Sequence, residues 1–142
     1  MKFAEQSVVW PEIKEVAKPF YEGMQQHKIM IQQCSNCSTH LPPAQLVCDH
    51  CGCDDLTWVE ADGSGEIYTY VVYHRSFHPA FNDQVPYIVA LVELKEGPRL
   101  MGQLKLKEGQ IYKVGSTVVQ DFIKLIKIMS YYIFNWRMET VR

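Results

Sequence analysis

Apolar residues change their spacing three times along the chain. Between residues 9 and 28, Trp10, Ile13, Val16 or Ala17, Phe20 and Met24 recur at steps of three and four, which lines one face of a helix. Pro11 suits a first helical turn. Pro19 does not suit a helix interior, where its ring would remove a backbone donor and clash with the preceding turn at a cost of about 3 kcal/mol. Two short helices meeting near Lys18 and Pro19 are therefore expected; their apolar face either caps the chain's own core or, with Trp10, Phe20 and Tyr21, docks on a partner. From Gly65 onward, β-branched and aromatic residues dominate the runs at 66–74, 87–94, 99–106 and 117–123, punctuated by Gly97-Pro98 and Gly115-Ser116. Four or five strands with short connections favour a small Greek-key barrel over a sandwich, because a barrel removes its own edges. Residues 124–138 fit two patterns. Leu125, Ile126, Met129, Ile133 and Trp136 form a helical stripe, while Tyr132, Phe134 and Trp136 alternate as a strand would.

Between the helical and β-rich parts lies Cys34-Ser-Asn-Cys37, ten further residues, and Cys48-Asp-His-Cys51-Gly52. Two C-x-x-C knuckles at this spacing present four thiolates to one tetrahedral ion. Four protein ligands close the coordination shell and leave no place for water or substrate, so the expected ion is structural zinc; iron in a rubredoxin-like site is the rival. The segment offers few core side chains of its own, such as Ile29, Ile31, Leu41, Leu46 and Trp58, and a bound zinc contributes roughly 10–16 kcal/mol toward ordering it. Gly52 suits the tight turn after the second pair, and Ser38 holds the matching place after the first. Cys53 is left over, and His40 and His50 stand near a site that four thiolates already complete.

Composition narrows the classes. The 142 residues are 47% hydrophobic and 21% charged, which is ordinary for a globular chain. Fourteen Lys and Arg against sixteen Asp and Glu give a net charge of −2, so there is no basic excess to attract nucleic acid or anionic lipid. The apolar stretch 122–134 is broken by Lys124 and Lys127 and is too short for a bilayer, and a soluble protein is expected. Five cysteines are an odd count behind a start, Met1-Lys2-Phe3-Ala4-Glu5-Gln6, that lacks a signal peptide's apolar stretch, so a metal site in a reducing cytoplasm accounts for them better than disulfides do.

The loop from His74 to Tyr87 holds two histidines, Arg75, Phe77, Phe81 and two prolines, a mixture suited to ligand or partner contacts. It is equally the composition of a long loop packed by Phe77 and Phe81 with solvated histidines. His74 and His78 have the chemistry of a general base or of donors to a thioester carbonyl. No Ser/His/Asp set or phosphate-cradling glycine motif is recognisable, and the chain by itself does not look like a complete enzyme.

Together the two knuckles, Gly65 to Arg75, His78-Pro79-Ala80-Phe81, Val85-Pro86-Tyr87 and Leu94 to Leu100 resemble one family over residues 18–123: the zinc-ribbon/OB-fold proteins of acyl-CoA metabolism, formerly domain of unknown function 35. The resemblance implies a mainly β chain with an N-terminal helical arm (1–28), a rubredoxin-like zinc ribbon (29–61) and a five-stranded OB-fold barrel (62–142). It also implies an accessory, non-catalytic subunit that binds a thiolase-fold partner as a hetero-oligomer and shapes its acyl-CoA channel, as in the small subunit of benzoylsuccinyl-CoA thiolase. Metal ligands would be Cys34, Cys37, Cys48 and Cys51; contacts to partner or coenzyme A thioester would come from His74, Arg75, His78, Phe81, Tyr87 and Arg99, with the catalytic groups in the partner. The competing readings are a stand-alone acyl-CoA-binding protein or thioesterase, and a single-stranded nucleic-acid-binding OB protein that stacks bases on Tyr68, Tyr70 and Tyr73. Family members often end in a Leu-Pro-x-Phe strand; this chain instead has Tyr132-Ile133-Phe134-Asn135-Trp136, without the proline.

Overall fold

A computed structural model describes residues 12–126 and 131–139. A 3-10 turn at Glu15–Ala17 leads into helix α1, Lys18–Gln25. Pro19 stands in the first turn of α1, where no intrahelical donor is lost, so where two helices were expected the described residues hold a short 3-10 turn and one α-helix. Met24 is buried and Phe20 packs against the main core. Trp10 and Pro11, the start of the expected helical face, lie outside the described residues.

Strands β1 (Met30–Cys34), β2 (His40–Leu41) and β3 (Leu56–Glu60) form an antiparallel sheet in the order β2-β1-β3. Five more strands close a barrel in the order β4-β5-β6-β8-β7: β4 (Ser64–Tyr73), β5 (Tyr87–Leu94), β6 (Arg99–Lys105), β7 (Thr117–Ile126) and β8 (Tyr131–Met138). Of the ambiguous C-terminal stretch, residues 124–126 end β7 and residues 131–138 form β8, while 127–130 lie outside the described residues. The alternation of Tyr132, Phe134 and Trp136 wins because β7 supplies a long antiparallel partner, from Val118 opposite Met138 to Ile126 opposite Tyr131. All barrel pairs are antiparallel except β6 with β8, where Leu104 faces Trp136 and Lys105 faces Arg137. Among the described residues no helix is long and apolar enough to cross a membrane.

Closure of the barrel demands a residue without a side chain at Gly65. It lies between Leu94 of β5 and Val118 of β7, and a Cβ there would collide with the Glu93 carbonyl and the Val92 side chain. One apolar core joins Ile67, Ala90, Val92, Leu94, Leu104, Val118 and Trp136 of the barrel with Ile29 and Ile31 at the start of the ribbon. Side chains alternate along a strand, so β1 sends Ile31 into this core while Gln32 and Cys34 face the knuckles.

Candidate functional site

The four knuckle cysteines meet beside the small sheet. Cys34 Sγ lies 3.5 Å from Cys51 Sγ and Cys37 Sγ lies 3.6 Å from Cys48 Sγ, and all four sulfurs fall within 4.8 Å of one another. No pair is bridged as a disulfide. A tetrahedron with metal–sulfur bonds of about 2.3 Å has edges of about 3.8 Å, so the donor set fits a tetrahedral ion such as zinc. When bound, such an ion cross-links the two knuckles. Matching backbone hydrogen bonds close the knuckles: Ser38 N–H donates to the Cys34 carbonyl at 2.9 Å and Cys34 N–H to the Thr39 carbonyl at 3.0 Å, and Gly52 N–H donates to the Cys48 carbonyl at 2.8 Å.

Local hydrogen bonds prepare the sulfurs differently. The Thr39 side chain, 3.2 Å from Cys37 Sγ, and the Thr39 backbone hold the Cys37 thiol down at about 6, well below its ordinary value. Burial pushes Cys48 up to about 11. Asn36 Nδ2 donates to Cys51 Sγ at 3.6 Å. Cys53 stands outside the ligand set and instead holds the turn: its carbonyl accepts Cys48 N–H at 2.7 Å and its sulfur accepts Asp55 N–H at 3.4 Å.

Gln32 has a role that the sequence did not disclose. Its buried side chain donates to the Gln45 carbonyl at 3.1 Å and accepts Gln45 N–H at 2.7 Å, pinning the segment between the knuckles. The segment turns outward at Ala44, φ 70°, and leaves Leu46 74% exposed. The expectation of Leu46 as a core residue is therefore wrong: the Gln32 side chain pins the backbone of the preceding residue, Gln45, and Leu46 stands on the outer side of that turn. Ile29, Ile31 and Leu41 are buried as expected.

The other candidate residues divide. His74, Arg75, His78, Phe81 and Tyr87 gather at one end of the barrel, where β4 passes into β5 through a 3-10 segment, Pro79–Gln84. Tyr73 and Tyr87 stack at 5.0 Å, Phe81 tilts against Tyr87 at 6.3 Å and His78 meets Phe81 edge-on at 6.3 Å. The Ser76 hydroxyl accepts His78 N–H at 3.2 Å and donates to the His78 carbonyl at 2.5 Å. This aromatic stack makes the loop a built surface. Phe77 does not pack it, as expected of a filler residue, but stands 84% exposed.

Arg99 belongs elsewhere. It pairs with Glu93 across the β5-β6 hairpin, six residues from Tyr87 and about 20 Å along the strand. Its Nε lies 3.0 Å from Glu93 and its guanidinium lies 3.6 Å over the Tyr68 ring, at the bulge between Ile67 and Thr69. Register, which the sequence leaves free, separates it from the loop. A further apolar patch follows the outer face of the barrel, where Val71, Tyr73, Val89, Leu91 and Met101 line a shallow cavity of about 250 Å³ and Met101 is 67% exposed.

A four-thiolate ribbon joined to a closed five-stranded barrel defines a zinc-ribbon/OB-fold protein. Residues 22–57 match the family profile of the ChsH2 rubredoxin-like zinc ribbon domain, and residues 58–122 match that of the ChsH2 C-terminal OB-fold domain. The chain superposes with a TM-score of 0.78 on a chain of the solved Ltp2-ChsH2(DUF35) aldolase, at 36% identity over 91% of this chain and 98% of that one. This chain therefore belongs to the DUF35 family of ChsH2-type proteins. It is 41% identical over 105 residues to a probable enoyl-CoA hydratase alpha subunit of Thermomonospora curvata, covering 74% of this chain and 32% of the relative. It is 36% identical over 73 residues to a DUF35 domain-containing scaffold protein of Methanocaldococcus jannaschii, 51% of each. The chain thus spans about a third of the hydratase subunit's length.

Proposed function

We propose that the chain is a non-catalytic subunit of a complex acting on an acyl-CoA thioester, bound in a reducing cytoplasm to a thiolase-fold partner that performs Claisen or retro-Claisen chemistry. The observation that carries this reading is the loop end of the barrel. There the stack of Tyr73, Tyr87, Phe81 and His78 supports an 84% exposed Phe77. Exposed apolar surface on an ordered frame is what a protein partner covers. Val71 on β4 and Met101 on β6, both exposed, add a second apolar patch on the barrel. The relatives, a hydratase subunit, a scaffold protein and an aldolase assembly, support an acyl-CoA setting and a subunit role. In this reading His74, Arg75, His78, Phe81 and Tyr87 contact the partner or its acyl-CoA, and zinc keeps the ribbon in shape.

Co-expression with a thiolase-fold protein of the same genome, followed by size exclusion, tests the proposal. A hetero-oligomer with greater acyl-CoA turnover than the partner alone is expected. A chain that never co-elutes, or that hydrolyses acyl-CoA alone and loses that activity in His74→Ala or His78→Ala protein, would overturn it in favour of a stand-alone thioesterase.

A further inference from the structure

At the seam where β6 meets β8, three cations line one pocket and none of them forms an ion pair among the described residues. Lys105, Lys107 and Arg137 line a pocket of about 190 Å³ with Leu106, Gln110, Asp121 and Met138. Of the other described basic residues, Lys18, Lys28, Lys95 and Arg99 pair with a carboxylate at 2.9, 3.5, 3.2 and 3.0 Å while Lys14, Arg75 and Lys113 do not, so it is the shared pocket that sets the three cations of the seam apart. Lys105, Lys107 and Arg137 form no ion pair among the described residues. The single carboxylate in the lining, Asp121, accepts the Phe122 amide at 3.0 Å and leaves a local excess of two positive charges on a chain whose net charge is −2.

Barrel closure forces this crowding. Lys105 and Arg137 are opposite each other in the parallel pair, on strands about 4.8 Å apart, and like charges placed directly opposite are destabilising. Lys105 is also half-buried, and burial lowers its ammonium from the ordinary lysine value. The lip opposite is preformed: Lys107 N–H donates to Gln110 Oε1 at 2.8 Å and Gln110 N–H to the Lys107 carbonyl at 3.1 Å, which leaves the Gln110 amide group as a donor.

We propose that the pocket formed by Lys105, Lys107, Gln110 and Arg137 binds the phosphate groups of a small-molecule ligand. Arginine and lysine donors around one concavity match phosphate oxygens, and an anion between Lys105 and Arg137 relieves their repulsion. An adjoining groove of about 430 Å³, lined by Pro86, Tyr87, Ile88 and Leu104 among others, shares Lys105 and Leu106 with the pocket. Its apolar lining suits an uncharged arm attached to the phosphates, and the Asp83 carboxylate in the same lining disfavours a second anionic group there. One confined pocket on an acidic chain is poorly suited to a polynucleotide, which needs a basic track. The inference rests on these residues and goes beyond the partner reading.

The test is a titration of the 142-residue, metal-loaded chain, followed by amide shifts in NMR at low salt. The probes are sodium pyrophosphate, adenosine 3′,5′-bisphosphate and coenzyme A. Saturable shifts centred on residues 105–110 and 137 are expected, with affinity at least tenfold weaker in Lys105→Met/Arg137→Gln protein. Lys107→Gln, at an exposed position, supplies a variant whose folding is not at risk, and a several-fold loss is expected there. Equal affinity for pyrophosphate and coenzyme A supports a site for free phosphates; tighter coenzyme A binding supports use of the groove. Absence of saturation, identical binding by the Lys107→Gln chain, an equal response to sodium chloride at matched ionic strength, or preferred binding of an oligonucleotide would each overturn the proposal. Co-elution of the same variants with the partner reports separately on the function proposed above.

Discussion

Ser38 and Gly52 hold the same left-handed backbone at the same place in successive knuckles, one residue past the second cysteine, with φ of 60° and 77°. Only glycine adopts that conformation without a Cβ penalty. Ser38→Gly is therefore expected to stabilise the metal-loaded chain or leave it unchanged, within about 1 kcal/mol, and Gly52→Ala to cost about 1 kcal/mol. Urea midpoints of the two variants, measured with metal in excess, give the comparison; opposite signs would contradict the matched-knuckle geometry.

Metal removal is expected to do more than unfold residues 29–61 beside an intact barrel. Ile29 and Ile31 share the barrel core, and Cys34 on the same β1 strand is a metal ligand. Chelation or Cys48→Ser should abolish amide protection in the knuckles and lower the thermal midpoint of the whole chain by on the order of 10 °C or more. Elemental analysis of the purified chain should give one zinc, and a red protein would indicate iron instead.

Acid should reveal Asp62. A hydrogen bond from the Ser64 hydroxyl, followed by the Lys95 ammonium at 3.2 Å, holds its carboxyl below the ordinary value. A depressed carboxyl contributes stability that is fully present above its unfolded value near 3.8 and is lost as pH falls through its folded value. Asp62→Asn should therefore be less stable than wild type at neutral pH, with the two urea midpoints converging as pH drops below about 4.

Phe77 separates binding from folding. Because the ring is 84% exposed, Phe77→Ala should change stability by no more than about 0.5 kcal/mol. Association with the partner should weaken at least about tenfold if the ring is a buried anchor of that interface. Equal affinity of wild type and variant in a titration against the partner would remove the loop tip from the interface.

The parts of this molecule legible in its sequence are those whose physics is local. The cysteine pairs declare a site because ligand spacing within a knuckle is short-range, and β4, β5 and β6 declare themselves by β-branched and aromatic runs, the last two parted at Gly97. Strand register is not local. It sends Arg99 to Glu93 and Tyr68 instead of to the aromatic loop, and it brings Lys105 beside Arg137 across thirty-two positions. Leu46 looks like core until Gln32 fixes the loop beneath it. Residues 131–138 carry both periods, and only the availability of β7 selects the strand.

The parallel pairing of β6 with β8 places an optical probe beneath the seam that closes the barrel. Its registered contacts, Leu104 with Trp136 and Lys105 with Arg137, are two, against eight in register between β7 and β8. Opening along this line would uncover Trp136 from its fully buried place. The barrel has no free edge, and the indole beneath its parallel seam is the natural optical reporter of its breathing.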